Sequence, residues 1–470
     1  MGKFKCAFGK VKINGFFPAK QPFGTDLFAR MAYFESGRDQ SLIIAFDLPG
    51  TFPADTAIFR ESLSALSGIP SENIWFHELQ LHAVPTGDET SQYVPRLVEI
   101  CWGGLKEIMA TACEAQAAFV TVDMGMDYSV NREQYIPGLG GVTVWAGLEY
   151  DEEGNAFSAD SKIMLLNGYE YELKEPVCFD EPVDSMAYLI LFRNNENKLV
   201  GSVARFAAHP DTAVLFDSLG ITGEGRYSFD WPGYLCGNIE EKLHCPAMYI
   251  NGPCADLSVK KNLKGMDTFE KADKECRRIA GEISSKLLKE LDSVSLDWED
   301  IRAFSNKFAS FTLPVREAFI RLYEEPEDER IMAAEKAFHE AVENNEPAYI
   351  IKKLADECYY ARQVDCIVHT WCGFTEEEIQ SGEIRVNAHA LKLNGYIFLS
   401  LPGECLCATT NLLRSETIGN QLITVDQVDG YYGYIATSRS LRKGGYTYWG
   451  SWIDTSGEKI LRDQVKKLID

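Results

Sequence analysis

Short apolar runs that end on a polar side chain recur along this 470-residue chain, separated by stretches with helical spacing. That alternation restricts the fold more than any other feature, because strands and helices that take turns in sequence pack as layers of an α/β protein. Ser41-Leu42-Ile43-Ile44-Ala45-Phe46, closed by Asp47, reads as a buried strand. Residues 54–67 read as a helix, 71–85 as a strand, 93–118 as a long helix and 119–125 as a strand leading into a loop. The acidic, Gly- and Asn-containing stretch 151–174 reads as a solvated loop or hairpin. Strand signals return at 186–192 and 199–208 around an Asn-rich turn, and at 247–251. Residues 267–293 are strongly helical, and 315–360 carry Glu, Lys, Ala and Arg at helical spacing. Strands at 384–393 and 396–401 and a helix near Gln464 follow. With no repeat, low-complexity tract or Pro/Ser linker, we expect one large mixed α/β domain over 1–470, with a largely helical excursion over about 261–383.

A hydrophobic fraction of 46% with 12% aromatic residues supports a large core and excludes a disordered or fibrous chain. The 46 basic and 70 acidic side chains leave a net charge of −24. Such a balance argues against nucleic acid as a partner, since phosphate binding needs clustered Lys and Arg. No apolar stretch is long enough to span a bilayer, and none near Met1 resembles a signal peptide, so a cytoplasmic protein without a transmembrane segment is expected. The 13 cysteines are odd in number and form no CxxC pair, which favours reduced, buried thiols over a disulfide framework or a structural zinc cluster. Nothing in the sequence fixes an oligomeric state.

Six segments carry side chains suited to chemistry. In Phe76–Pro85, a strand would place Glu78, Gln80 and His82 on one face, as a metal or proton-transfer site or as a half-exposed edge. His209 closes an apolar strand just before Pro210, where α/β active-site groups collect, although core histidines also sit there. Ser228–Tyr234 is a turn into a helix in which Asp230 fits an N-cap. Asn251–Ser258 is a Gly/Pro loop able to present N–H groups to an oxyanion. Leu401–Glu404 puts a carboxylate after a tight turn, and Gly433–Thr437 is followed by Gly444-Gly445-Tyr446.

In this order the six segments resemble the catalytic domain of the neutral/alkaline (non-lysosomal) ceramidase family. That family shows Thr-His-Thr-His-Ser-Gly-Pro, Phe-Ala-x-His, Ser-x-Asp-x-Pro-Gly, Gly-Asp-x-Ser/Asn-Pro, Pro-Gly-Glu, and Tyr-x-x-Thr with Gly-Gly-Tyr. Leu79 to Pro85, Phe206 to His209, Ser228 to Gly233, Ala255 to Val259, Pro402 to Glu404 and Tyr434 to Tyr446 match them. Val130-Asn131-Arg132 and Pro182-Val183-Asp184 are similar to two further family segments. The likeness runs from about residue 5 to the C-terminus, poorly after 260, and implies a catalytic domain without the family's immunoglobulin-like domain.

The resemblance implies a zinc ion whose bound water attacks an amide carbonyl. His209, Glu404 and Tyr434 fall on three of its four ligand positions. His82 falls on a residue that hydrogen-bonds substrate or the nucleophilic water, and Tyr446 on one that steadies the oxyanion. Asp256 and Ser258 fall in the loop beside the metal, whose Ser is sometimes assigned as nucleophile, and Asn131 and Arg132 on pocket-lining positions. Gln80 stands where the family has its first metal-binding His, and an amide oxygen is a weak zinc ligand. Three outcomes stay open: zinc held by the remaining groups with Glu78, a harder ion such as Mn²⁺ or Mg²⁺, or no metal. Ala255 and Ala83-Val84 also replace family glycine and Ser-Gly.

The expected function is a metal-dependent hydrolase of amide bonds with Zn²⁺ as cofactor. A soluble small molecule fits as substrate better than ceramide, because a −24 surface is repelled by anionic headgroups. The alternative is a metal-free relative that binds a small molecule. A metal-free hydrolase using Ser258 with Asp256 and a His ranks last, since no GxSxG elbow is present.

Overall fold

The computed structural model of the chain describes residues 2–469 apart from 144–147, 151–155, 159–161, 165–169, 173–180, 215–224, 262–266 and 418–420. Its principal sheet contains β1 (Phe4–Lys12), β2 (Phe28–Ser36), β3 (Asp39–Phe46), β4 (Ile74–Glu78), β5 (Cys113–Asp123), β6 (Met186–Asn194), β7 (Leu199–Phe206) and β8 (Ala247–Asn251). They lie side by side in the order β8-β7-β6-β5-β1-β2-β3-β4. Neighbours are antiparallel except at the two edges, where β3 runs parallel to β4 and β7 to β8. Each parallel pair needs a crossover helix. These are α1 (Pro53–Ser67) between β3 and β4, and α3 (Asp230–Leu243) between β7 and β8; α2 (Val94–Ala110) precedes β5.

Local sequence explains these elements. Helix α1 starts with Pro53 in its first turn, where a missing N–H costs nothing, and stops at Gly68, which is left-handed and donates its N–H to the Ser64 carbonyl. Leu97, Cys101, Leu105 and Ile108 form the buried stripe of α2. In β3, Ser41 to Phe46 are all buried, as expected of a strand covered on both faces.

A second sheet is built from β9 (Phe304–Pro314), β10 (Glu383–Leu393), β11 (Tyr396–Ser400) and β12 (Gln421–Val425), with β11 parallel to β12 across the helix Cys407–Glu416. Leu391, Phe398, Ile423 and Val425 join the core of the principal sheet, so the two sheets share apolar packing. The principal sheet also curls. His77 of β4 and Asn251 of β8 come from its opposite edges, yet the Asn251 N–H donates to His77 Nε2 at 3.0 Å. Three parallel pairs thus bring their carboxyl ends to one place, where α/β proteins bind ligands.

The structure corrects several expectations. The long helix ends at Ala110, and Cys113–Ala118 belong to β5, because the alternation of that stretch pairs it with β6 and β1. The helical excursion over 261–383 is interrupted by β9, which pairs with β10 along its whole length. Strands β1 and β2, which we did not distinguish in the sequence, lie at the centre of the sheet. Within 151–174, 156–158 pair with 148–150 and 162–164 with 170–172; the rest of that stretch lies outside the described residues. No disulfide joins the described cysteines.

Candidate active site

The strand expected over 71–85 ends at Glu78. Gln80 adopts φ +60, so the alternation stops and Glu78, Gln80 and His82 do not share a strand face. Glu78 is fully buried and accepts a hydrogen bond from the Thr51 hydroxyl at 2.5 Å; burial raises its carboxyl to about 7. Gln80 Oε1 lies 3.5 Å from the Cys254 thiol, and its side chain also reaches the Glu404 carboxyl.

His82 is exposed yet closely surrounded by protein atoms, a combination typical of a cleft wall. Its surface area shows that water reaches it, and the crowding explains why burial, aided by the Arg132 and Lys261 charges against an opposing Asp211, lowers its pKa. Its Nδ1 sits 3.0 Å from the Gln80 carbonyl oxygen, which can only accept, so Nε2 is the basic nitrogen. The rings of His82 and His209 are 5.3 Å apart.

His209 follows β7 and is completely buried. Its N–H donates to the Leu257 carbonyl, and its own carbonyl accepts from the Trp231 indole at 3.2 Å. Nδ1 donates to the Cys254 carbonyl at 2.7 Å, leaving the Nε2 lone pair for Arg132 Nη2 at 3.2 Å. Burial and the Arg132 charge push its pKa well below the ordinary value, so the ring is neutral.

Glu404 comes from the turn after β11. Gly403 makes this turn with φ +58, and a Cβ there would stand 2.6 Å from the Gly433 carbonyl oxygen, so only glycine fits. Glu404 Oε1 accepts from the Tyr431 hydroxyl at 2.5 Å. Its buried Oε2 has no hydrogen-bond partner and lies 3.6 Å from His209 Nε2. Burial raises the Glu404 pKa, against the pull of Tyr431 and Arg132. Tyr434 lies next to Arg132, its hydroxyl 3.3 Å from Nη2, and its ring meets that of Tyr446 edge-on at 4.8 Å.

Asn131 closes the short strand Ser129–Asn131, which pairs with Leu257–Val259, and Arg132 follows it directly. Asp256 accepts from the Cys407 N–H at 2.8 Å and the Asn131 amide at 3.0 Å, which ties it into the scaffold behind the cleft. Ser258 is the central residue of the paired strand and is bridged through its backbone to His209. The structure therefore gathers Gln80, His82, Arg132, His209, Glu404, Tyr434 and Tyr446, and puts Asn131, Asp256 and Ser258 in their support. Sequence reasoning missed Tyr431, Cys254 and the buried pair Lys261–Asp211 beside His82. The Tyr431-Tyr432-Gly433-Tyr434 cluster was the available signal for the first; Lys261 had none.

Fold and site together define a mixed α/β protein with a cluster of buried polar groups, edged by the exposed His82, at the carboxyl ends of three βαβ units. Two solved structures are similar to it. Neutral ceramidase from Pseudomonas aeruginosa aligns with TM-score 0.65 and 13% identity over 99% of this chain and 74% of that one. A ceramidase complexed with C2 gives 0.63, 13%, 99% and 74%. At this identity the likeness shows the fold. The sequence matches no family model and no curated protein.

The residues present do not fit the zinc ion implied by the sequence resemblance. One feature favours a cation, the partnerless Glu404 Oε2. Against it, no three His, Cys, Asp or Glu side chains among the described residues are placed to hold a metal. The imidazole nitrogen and the phenol that would face the ion both contact Arg132 Nη2. Burial opposes that guanidinium's charge, but Tyr434, Asp211 and Glu404 outweigh it and hold its pKa above the ordinary value. A dication about 4 Å from such a charge is repelled by roughly 8 kcal/mol at an effective dielectric near 20.

Proposed function

We propose that this cleft hydrolyses the amide bond of a soluble small molecule. The observation that carries this reading is His82, a neutral imidazole open to water beside the fixed charge of Arg132. With Nδ1 committed to the Gln80 carbonyl, Nε2 takes a proton from a water as its oxygen bonds to the carbonyl carbon. The oxyanion develops against Arg132, with the Tyr434 and Tyr446 hydroxyls beside it. The C–N bond then breaks, and the proton held by His82 passes to the leaving amine, giving an amine and a carboxylic acid that releases its remaining proton to water. The likeness to solved ceramidases supports amide chemistry, and the −24 charge supports a soluble substrate. Asp256 and Ser258 act here as positioning groups.

The test is hydrolysis of a panel of water-soluble N-acyl amines of graded acyl length. His82→Ala should lower kcat by about 10²–10⁴-fold, the range of general-base catalysis, with the thermal midpoint unchanged. If the purified chain binds such amides and cleaves none, the alternative of a small-molecule binding protein takes its place.

A further inference from the structure

Three fixed points hold Arg132. Its backbone N–H donates to the Asp256 carbonyl at 2.8 Å, and the preceding residue, Asn131, pairs with Leu257. Its Nε and Nη2 fork onto the Ala255 carbonyl oxygen at 3.1 and 2.6 Å. Held in this way, Nη2 lies 3.2 Å from His209 Nε2 and 3.3 Å from the Tyr434 hydroxyl, with the Glu404 charge close by. These are the groups that the resemblance assigns to a zinc ion. On the remaining side, the family's imidazole is replaced by the Gln80 amide, which is engaged with the Cys254 thiol and the Glu404 carboxyl.

We propose that the guanidinium of Arg132 takes the place of a metal ion in this cleft, so that the chain builds a ceramidase-type site around a fixed organic cation and binds no divalent metal there. A departure, Gln80, and a residue on a position that the resemblance shares, Arg132, act together. Gln80 removes a ligand, and the clamped guanidinium fills the space and supplies the charge. Restoring the histidine alone therefore leaves the cation in the way, while removing the arginine alone leaves one ligand missing. The inference holds whether the cleft hydrolyses amides or only binds them.

The experiment measures metal content and not activity. Wild type, Gln80→His, Arg132→Met and the double variant are exposed to equimolar Zn²⁺, desalted and analysed for metal. Each is also titrated with Co²⁺, whose visible absorption reports four-coordinate binding. His tolerates the left-handed backbone at position 80 better than most residues, so Gln80→His should fold, as circular dichroism will show. Wild type and Gln80→His should retain no zinc, and the double variant about one equivalent, as expected of a four-ligand zinc site. A wild-type equivalent of Zn²⁺, Mn²⁺ or Mg²⁺ that is lost on His209→Ala overturns the proposal. So does a folded double variant that binds no metal, or a Gln80→His protein that binds as tightly as the double. If the double variant does not fold, wild type and Gln80→His decide: zinc retained by either and lost on His209→Ala overturns the proposal, and its absence from both supports it. Failure to cleave amides leaves these outcomes unaffected and counts only against the hydrolase reading.

Discussion

Two buried clusters in this chain contain the same three residue types, a histidine, an arginine and a carboxylate, joined in different ways. In the first, Asp429 accepts from His389 Nε2 at 2.7 Å and from Arg60, and the other ring nitrogen of His389 faces the Glu72 carbonyl at 3.0 Å. Both ring nitrogens meet acceptors, and one carboxylate gathers the imidazole and the guanidinium. Burial alone would raise the Asp429 pKa, but His389 and Arg60 overcome it and hold the group below its ordinary value. In the cleft the arginine donates to the imidazole instead. His209 is thereby kept neutral, and Glu404, raised by burial, retains an oxygen without a partner. A buried charge does not by itself mark a site. The first cluster is a closed brace between α1, β4 and the second sheet; the second is left incomplete next to a solvent-reached histidine.

The most severe way to break this contrast is Asp429→Ala. It strands the buried Arg60 guanidinium and His389 imidazole, and loss of one partner of a buried pair costs about 3–5 kcal/mol. Urea unfolding should show that loss, and a change below about 1 kcal/mol would mean that the brace is not one. Glu404→Gln sharpens the other side. Burial outweighs what Tyr431, Arg132 and Gln80 supply to its carboxyl, and a neutral isostere removes a poorly solvated charge, so stability should change by no more than about 1 kcal/mol, toward the more stable. A loss of several kcal/mol in the same urea assay would show that Glu404 braces the fold as Asp429 does.

The contrast also explains what the sequence could reveal. The resemblance, carried by the order of the motifs, was sufficient to bring His82, His209, Glu404, Tyr434 and Tyr446 together; of these, His209 and Glu404 come just after strands whose apolar runs are legible. The wiring was not legible. Nothing in Leu79-Gln80-Leu81 announces a left-handed residue, and a period-two pattern cannot tell a strand from a chain that turns after Glu78. Strand β9 was hidden because its exposed positions, Lys307, Phe308 and Ser310, do not alternate with its buried ones, Phe311 and Leu313, in a regular period of two. The Lys261–Asp211 pair joins groups 50 residues apart that the parallel pairing of β7 with β8 brings side by side.

A third buried carboxylate extends the comparison at smaller scale. Asp230, expected as an N-cap, is instead the first residue of α3, held at φ +50. Its oxygens are met by the backbone N–H groups of Ala213 and Trp231, each at 2.6 Å, where Asp429 meets an imidazole and a guanidinium. Burial outweighs these two donors, and with a push from Asp211 the carboxyl rises to about 6. The folded pKa therefore exceeds the unfolded value of about 3.9, so between these values the folded state binds more protons. Stability contributed by this group is fully present below pH 3.9 and is lost as pH rises through 6. Acidifying from pH 7 to pH 5 should accordingly add about 1 kcal/mol through Asp230. Asp429, depressed by His389 and Arg60, stays ionised throughout that window and adds nothing. In Asp230→Asn the gain should vanish, read as the wild-type minus variant difference in urea unfolding at the two pH values, in which the other titrating groups cancel. An unchanged difference between pH 7 and pH 5 would mean that the two N–H donors hold this carboxylate ionised as effectively as an arginine and a histidine hold Asp429.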